Sequence, residues 1–276
     1  MHDINVVIVN YKTKNDIEKC LTSLFVDIKD SGLDVIVHVV DNSQNQDGIK
    51  DMLDDKFQQV VYIDPRGNVG FGKGENIGFK NYAAKFYLCL NPDVKFNMGF
   101  GVLKKMVKFM EENEKAGIIA PKLLNLDKTI QESCYRFPSF FVQISRRLNL
   151  DKKVWIFKKM VDYYLMKDFD HNKTVKVDWV MGSFMFASKK LVEKIGFFDE
   201  RYFMYFEDCD WCLRAWMNGF EVWYLDNIIV SHEHKRQSAG KSSIISILKT
   251  PIARIHIKSW LLYFLKWGIV KKHFGV

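Results

Sequence analysis

The sequence predicts an α/β protein, a mixed and mostly parallel sheet flanked by helices, with a helical insertion and a C-terminal helical tail. Two observations carry this. Largely β-branched runs at Ile4–Val9 and Val35–Val40, each broken by a single polar residue (Asn5, His38), and the apolar run Phe86–Leu90 have the pattern of strands buried on both faces, and segments of helical period separate them. Polar clusters follow these runs directly: Asn10-Tyr11, Asp41-Asn42-Ser43 and Asn91-Pro92-Asp93. In open α/β sheets ligands sit beyond the carboxyl ends of the strands, so Tyr11, Asp41 and Asp93 should converge on one edge.

Taken in order, Ile4–Val9 is the first strand, and Asn15 is placed as the N-cap of a helix carrying Ile17, Leu21, Leu24 and Phe25. Val35–Val40 is the second strand, a short helix covers Ile49–Phe57, and Val60–Ile63 is the third strand. The stretch Asp64 to Gly78 then contains five glycines, which suit either a flexible turn or backbone N–H groups aimed at a phosphate. It matches neither the dinucleotide fingerprint nor the P-loop, because the spacing and the Lys-Ser/Thr pair are missing. A helix over Asn76–Ala84, the strand Phe86–Leu90, a helix over Phe100–Glu114 and a strand at Ile118–Ala120 complete a first half, residues 1–122.

The second half, 123–240, opens on an aromatic and basic stretch, read as a helical insertion over about 137–171 that either borders an acceptor site or presents a solvated basic face. Val175–Val180 resumes strand character, and Gly182-Ser183 makes a small turn that leaves room for a pocket. After the helix Lys189–Ile195 comes Phe203-Met204-Tyr205-Phe206-Glu207-Asp208-Cys209-Asp210-Trp211. Three carboxylates among aromatics are costly to bury without purpose and point to a pocket. A helix to Met217 ends at Asn218-Gly219, and short strands at Glu221–Leu225 and Ile228–Val230 deliver His232 and His234. In residues 241–276, basic side chains mixed with Trp and Tyr predict amphipathic helices on an anionic bilayer, or else packing on the core or a second subunit.

The chain has 276 residues, 48% of them apolar, enough for a sizeable core, and a net charge of +8 that favours an anionic partner. The five cysteines imply no disulfide framework; Cys209-x-x-Cys212 is either a redox or zinc pair or two small helix residues. The N-terminus lacks a signal-peptide pattern and no window approaches the ~20 apolar residues of a spanning helix, so the expected compartment is the cytoplasm.

The order of these pieces resembles the family 2, GT-A glycosyltransferases, whose fold is Rossmann-like, and within them the rhamnosyltransferase-like branch of bacterial surface polysaccharide synthesis. The resemblance covers about residues 4–240. It implies an inverting transferase that moves a sugar, first of all L-rhamnose from dTDP-L-rhamnose, to a lipid-linked or growing glycan. It further implies that Asn10, Tyr11, Asp41, Arg66, Asn68, Gly70, Asn76 and Asn91 line the nucleotide pocket. Asp93 and His232 would hold Mn2+ or Mg2+, with His234 a competitor for the ligand role. Asp208 would be the general base, with Glu207, Asp210, Gly182, Ser183 and Trp211 supporting it or shaping the acceptor side. Asn91 stands where a strict D-x-D motif has its first acid.

Three alternatives remain beside this reading: a UDP-hexose or UDP-galactofuranose transferase, a sugar-1-phosphate nucleotidyltransferase, and a non-catalytic basic module on membrane or nucleic acid. The last leaves the acids at Asp41, Asp93 and Glu207–Asp210 unexplained, since they repel phosphate. No nucleic-acid partner is therefore expected.

Overall fold

The computed structural model describes residues 1–97, 99–233, 250–268 and 274–275. Its centre is a nine-stranded sheet built from β1 (His2–Asn10), β2 (Val35–Asp41), β3 (Val61–Ile63), β4 (Ala84–Leu90), β5 (Val94–Phe96), β6 (Ala116–Leu124), β8 (Val175–Lys176), β10 (Phe184–Ser188) and β11 (Glu221–His232). The order is β3-β2-β1-β4-β10-β6-β11-β5, with β8 paired to β11. β3, β2, β1 and β4 run parallel, whereas β10 lies antiparallel between β4 and β6. The sheet thus runs unbroken through both halves of the chain, and the ends of β1, β2 and β4 meet the start of β10 at one edge. Cys134–Tyr135 (β7) and Trp179–Val180 (β9) form a separate small ladder.

Helices cover both faces: α1 (Lys14–Ser31), α2 (Ile49–Lys56), α3 (Phe71–Asn81), α4 (Val102–Glu112), α5 (Phe140–Arg147), α6 (Trp155–Tyr164), α7 (Lys189–Ile195), α8 (Glu207–Met217) and α9 (Pro251–Trp267). The core divides across the sheet. One side gathers Ile4, Ile8, Leu21, Leu24, Leu103 and Met106, the other Val7, Phe79, Trp211, Tyr224 and Tyr263. Each such fully buried side chain contributes about 1.5–3 kcal/mol over an exposed one.

Several boundaries differ from expectation for local reasons. The cap residue of α1 is Thr13 rather than Asn15, because the Asn10 side chain takes the Thr13 N–H and draws the chain into the helix early. The glycine run is largely helical: α3 begins at Phe71, and Gly74 and Gly78 let it lie directly on β1, where an added Cβ would sit 2.9 Å and 2.6 Å from Val9 and Val7. The two expected strands after Asn218-Gly219 are one strand, β11, with an irregularity between Leu225 and Ile229. Asp226 in that irregularity accepts from Thr174 Oγ1 at 2.6 Å.

Where it is described, the tail follows the core-packing alternative. Helix α9 is docked on the body: Tyr263 and Phe264 are buried, Ser259 donates to the Met204 carbonyl at 2.8 Å, and Phe140 stacks near Trp260 with ring centres 4.4 Å apart. Core packing thus takes up part of its apolar face, while Leu261 and Leu265 stay exposed. No helix among the described residues is long and apolar enough to cross a membrane. Ile244, Ile245, Ile247, Leu248, Lys271, Lys272 and His234 lie outside the described residues.

Candidate active site

The first side of the site is the joined end of β1 and β2, where Asn10 and Asp41 are in register. Asn10 Nδ2 donates to Asp41 Oδ1 at 2.9 Å, Ser43 donates through its N–H at 2.9 Å and its hydroxyl at 2.6 Å, and Tyr62 donates at 3.0 Å. Burial raises the Asp41 carboxyl, but these donors outweigh it and hold the group below its ordinary value. Asp41 is fully buried, so it sets the floor of this corner and does not face solvent. Tyr11 stands exposed at its rim, and Asp47, which accepts from Asn10 and from the Lys14 N–H at 3.0 Å, closes the corner.

Asn42 ties this corner to the glycine stretch, donating to the Gly70 carbonyl at 3.0 Å. Arg66 and Asn68 are exposed there, and Asn68 Oδ1 accepts from the Gly70 N–H. Gly70 is required twice over: its φ is +89°, and a Cβ would come within 2.2 Å of the Phe203 carbonyl oxygen. That carbonyl accepts from Phe71 N–H at 2.8 Å, so the glycine stretch directly abuts the acidic stretch.

The second side is that acidic stretch. Tyr205 and Phe206 both have positive φ, 73° and 70°, which is unusual for bulky side chains and turns the chain sharply into α8. The turn sets Asp208 in the first helical turn, half-buried, where its Oδ2 accepts from Gly182 N–H at 2.9 Å. Asn91 N–H in turn donates to the Ser183 carbonyl at 2.9 Å, so β4, the Gly182-Ser183 turn and α8 form one continuous wall. Burial raises the Asp208 carboxyl above its ordinary value despite its backbone donors. Glu207 is raised too, by burial and by the adjacent Asp208 charge. A half-exposed carboxylate with increased proton affinity has the properties of a general base.

The third group is Asp93 with His232. His232 Nε2 lies 3.0 Å from Asp93 Oδ1, and its Nδ1 lies 2.6 Å from Gln131 Oε1. Gln131 gives its own N–H to Asn125 at 3.1 Å, which turns its oxygen toward the imidazole and places the His232 proton on Nδ1. Nε2 then faces a carboxylate oxygen, and either a proton or a cation between the two completes the arrangement. Two ligands, one carboxylate and one imidazole, fit a Mg2+ or Mn2+ ion whose other positions go to water and phosphate oxygens. Among the described residues no larger cluster of His, Cys, Asp and Glu surrounds an ion site.

Three of the expected site residues lie elsewhere. Asn76 is buried and clamps the Phe198 loop, donating to its carbonyl at 2.9 Å and accepting its N–H at 3.0 Å, so it has no free group for a nucleotide. Trp211 is fully buried against Phe198 with its N–H on the Gly196 carbonyl, and forms no acceptor wall. Asp210 points back into the molecule, because its helical phase is opposite that of Asp208. It accepts from Arg214 Nε at 2.9 Å and from Lys266 and Trp267 of α9 at 2.7 Å each. A cavity of about 430 Å³ nearby is lined by Asn76, Lys80, Asp199, Glu200, Arg214 and Lys266, but its charges already pair with one another or with Asp210. The five cysteines are all buried and unpaired, which leaves Cys209 and Cys212 as core residues.

Sequence reasoning passed over Gln131, Asp47, Tyr62 and Glu75. The first three are partners brought in by the fold from 21 to 101 positions away, with no local signal. Glu75 did carry one, an acid in a glycine-rich stretch of helical period; both its oxygens are buried beside the Cys89 thiol, and burial raises it well above its ordinary value.

Strand-end acids, a glycine stretch against an acidic helix start, and a paired Asp and His thus gather on one mixed sheet. Residues 5–196 match the model of glycosyl transferase family 2, and the chain belongs to that family. It is 27% identical over 282 residues to the rhamnosyltransferase WbbL of Escherichia coli K12, covering 97% of this chain and 94% of that one. It is 26% identical to the dTDP-rhamnosyl transferase RfbF of Shigella flexneri, covering 92% and 77%. To the low-salt glycan biosynthesis hexosyltransferase of Haloferax volcanii it is 28% identical over 223 residues, spanning 62% of that protein's length. The fold is also that of GalNAc-T7 solved with UDP, GalNAc and Mn2+, at TM-score 0.64 and 11% identity over 97% of this chain and 48% of that one.

Proposed function

We propose that this chain is an inverting glycosyltransferase that moves L-rhamnose from dTDP-L-rhamnose to a hydroxyl of a lipid-linked or growing glycan. The observation that carries the reading is Asp208: a carboxylate of raised proton affinity, aimed by the Gly182 N–H, at the edge where the parallel strands end. The names of the bacterial relatives support the donor. In this reading the acceptor oxygen attacks the anomeric carbon, the bond from that carbon to the diphosphate breaks, and Asp208 takes the hydroxyl proton. Direct displacement inverts the anomeric configuration.

Tyr11, Arg66 and Asn68 border the nucleotide, and the buried Asn10 and Asp41 hold that corner in shape. Asp93 and His232 would hold Mg2+ or Mn2+, which when bound neutralises charge on the departing nucleoside diphosphate. The enzyme works at the inner face of the cytoplasmic membrane, where a lipid-linked acceptor is presented.

A panel of nucleotide sugars, including dTDP-L-rhamnose, UDP-hexoses and UDP-galactofuranose, tests the donor by metal-dependent hydrolysis and calorimetry. Turnover of dTDP-L-rhamnose alone is the expected result; preference for a UDP-sugar replaces the donor, and binding of neither dTDP nor UDP with metal ends the transferase reading. Asp208→Asn should lower transfer by about 10²–10⁴-fold with nucleotide affinity retained. Unchanged turnover removes Asp208 from the role of base.

A further inference from the structure

The insertion between β7 and β8 carries an unusual surface. Phe141, Leu148, Val154, Trp155, Ile156 and Tyr163 are all exposed, and Trp155 and Ile156, in the first turn of α6, are 68% and 64% exposed. Adjacent large apolar side chains left in water mark a contact surface. Around them stand Arg146, Arg147, Lys152, Lys153, Lys158 and Lys159, against only Asp151 and Asp162 over residues 140–163. Asp162 is already engaged by Lys158 and Lys167. Lys152, Lys153 and Lys159 have no ion pair among the described residues, and Lys159 lies over the Trp155 ring at 4.4 Å.

The surface is continuous with the acceptor side of the site. Phe140 packs on Trp260 and Phe264 of α9, whose Leu265 is 84% exposed, and Ser259 of the same helix holds the Met204 carbonyl in the loop leading to Asp208.

We propose that the α5–α6 insertion is a surface by which this protein docks on an anionic lipid bilayer. The combination fits that occupant. Tryptophan and tyrosine sit at the headgroup level, valine, isoleucine and leucine enter the acyl boundary, and lysines meet anionic headgroups. A second copy of the chain fits poorly, because a two-fold contact lays this cationic surface against itself. Nucleic acid supplies phosphate but nothing for Val154, Ile156 and Leu148 to bury in. The inference takes its purpose from the lipid-linked acceptor of the proposed function, although the binding itself needs no catalysis.

Co-sedimentation with phosphatidylcholine vesicles, with and without phosphatidylglycerol, tests it. The full chain is expected to bind the anionic vesicles, to release with salt, and to ignore neutral ones. Trp155→Ser/Ile156→Ser and, separately, Lys152→Glu/Lys153→Glu should each weaken binding at least about ten-fold. Both should retain the parent's melting temperature and its transfer to a short soluble acceptor. The proposal is overturned if the parent leaves vesicles unbound, if neither variant weakens binding, or if the apolar variant instead turns a dimer into a monomer in solution. Vesicle binding without any sugar transfer sinks the transferase reading and leaves this surface standing; transfer without vesicle binding does the reverse.

Discussion

Asp210 separates two ways of reading the acidic stretch, as a catalytic support or as an anchor. Its carboxylate is fully buried and receives Arg214, Lys266 and the Trp267 N–H at 2.7–2.9 Å. Asp210→Asn keeps the volume but removes the charge and turns an amide toward three donors. Breaking a buried ion pair on one side costs about 3–5 kcal/mol. Arg214 still has the Ile195 and Phe197 carbonyls, and Lys266 still has Asp199, so the lower end of that range applies. About 3 kcal/mol corresponds to a fall in Tm of roughly 6–12 °C in a chain of this size. Scanning fluorimetry and limited proteolysis of the α9 region measure both the fall and the loosening of the helix. Below the melting range, any fall in kcat should track the loosening of α9, since Asp210 touches no reacting group and acts on the turn before Asp208 only through that helix. A variant with unchanged Tm and a kcat lowered by about 100-fold or more refutes the anchor and returns Asp210 to the chemistry.

Three further outcomes follow from the site. Gln131→Leu removes the acceptor that fixes the His232 tautomer, and should raise the Mn2+ concentration for half-maximal turnover about 10–100-fold; an unchanged metal titration dissociates Gln131 from the ion. Glu75→Gln isolates a buried proton: Glu75 is neutral in the fold and ionised in the unfolded chain, so folding takes up a proton above the unfolded value, and the parent loses stability as pH rises toward the folded one. The variant lacks that slope, so its stability relative to the parent should improve by up to about 1.4 kcal/mol per pH unit as the pH rises above the ordinary glutamate value, measured by urea titration, and parallel curves reject the assignment. Gly70→Ala drives a Cβ into the Phe203 carbonyl and should cost about 2–4 kcal/mol together with most of the turnover; a melting curve like the parent's means the loop relaxes freely.

How much of this was legible depended on whether the signal was local. The strands at Ile4–Val9 and Phe86–Leu90 and the polar clusters that end them show in the sequence because burial on both faces leaves runs that are apolar apart from Asn5. The junction of Asp208 with Gly182 did not show as a contact, only as two separate oddities, since 26 positions separate them. Trp211 and Asp210 misled because aromatic and acidic residues read alike in a pocket and in a core. Helical phase decides between them, and the two left-handed residues Tyr205 and Phe206 that set the start of α8 have no signature in composition. The tail stayed open for the same reason: a basic helix with Trp and Tyr reads alike whether its apolar face meets lipid or protein.

Those left-handed residues also explain why α9 matters to a site it does not line. Two bulky residues at positive φ store of order 1–3 kcal/mol each, and such strain persists only when surrounding contacts over-determine it. Here the restraints come from three directions. Phe71 N–H holds the Phe203 carbonyl, Ser259 holds the Met204 carbonyl, and Tyr263 packs on Phe206 with ring centres 5.2 Å apart. Two of the three belong to α9. Undocking that helix therefore frees the turn that aims Asp208, which makes helix docking and the geometry of the base one cooperative unit. The insertion enters the same unit through Phe140 on Trp260, so a surface that seats the insertion on a bilayer also braces the loop that faces the acceptor.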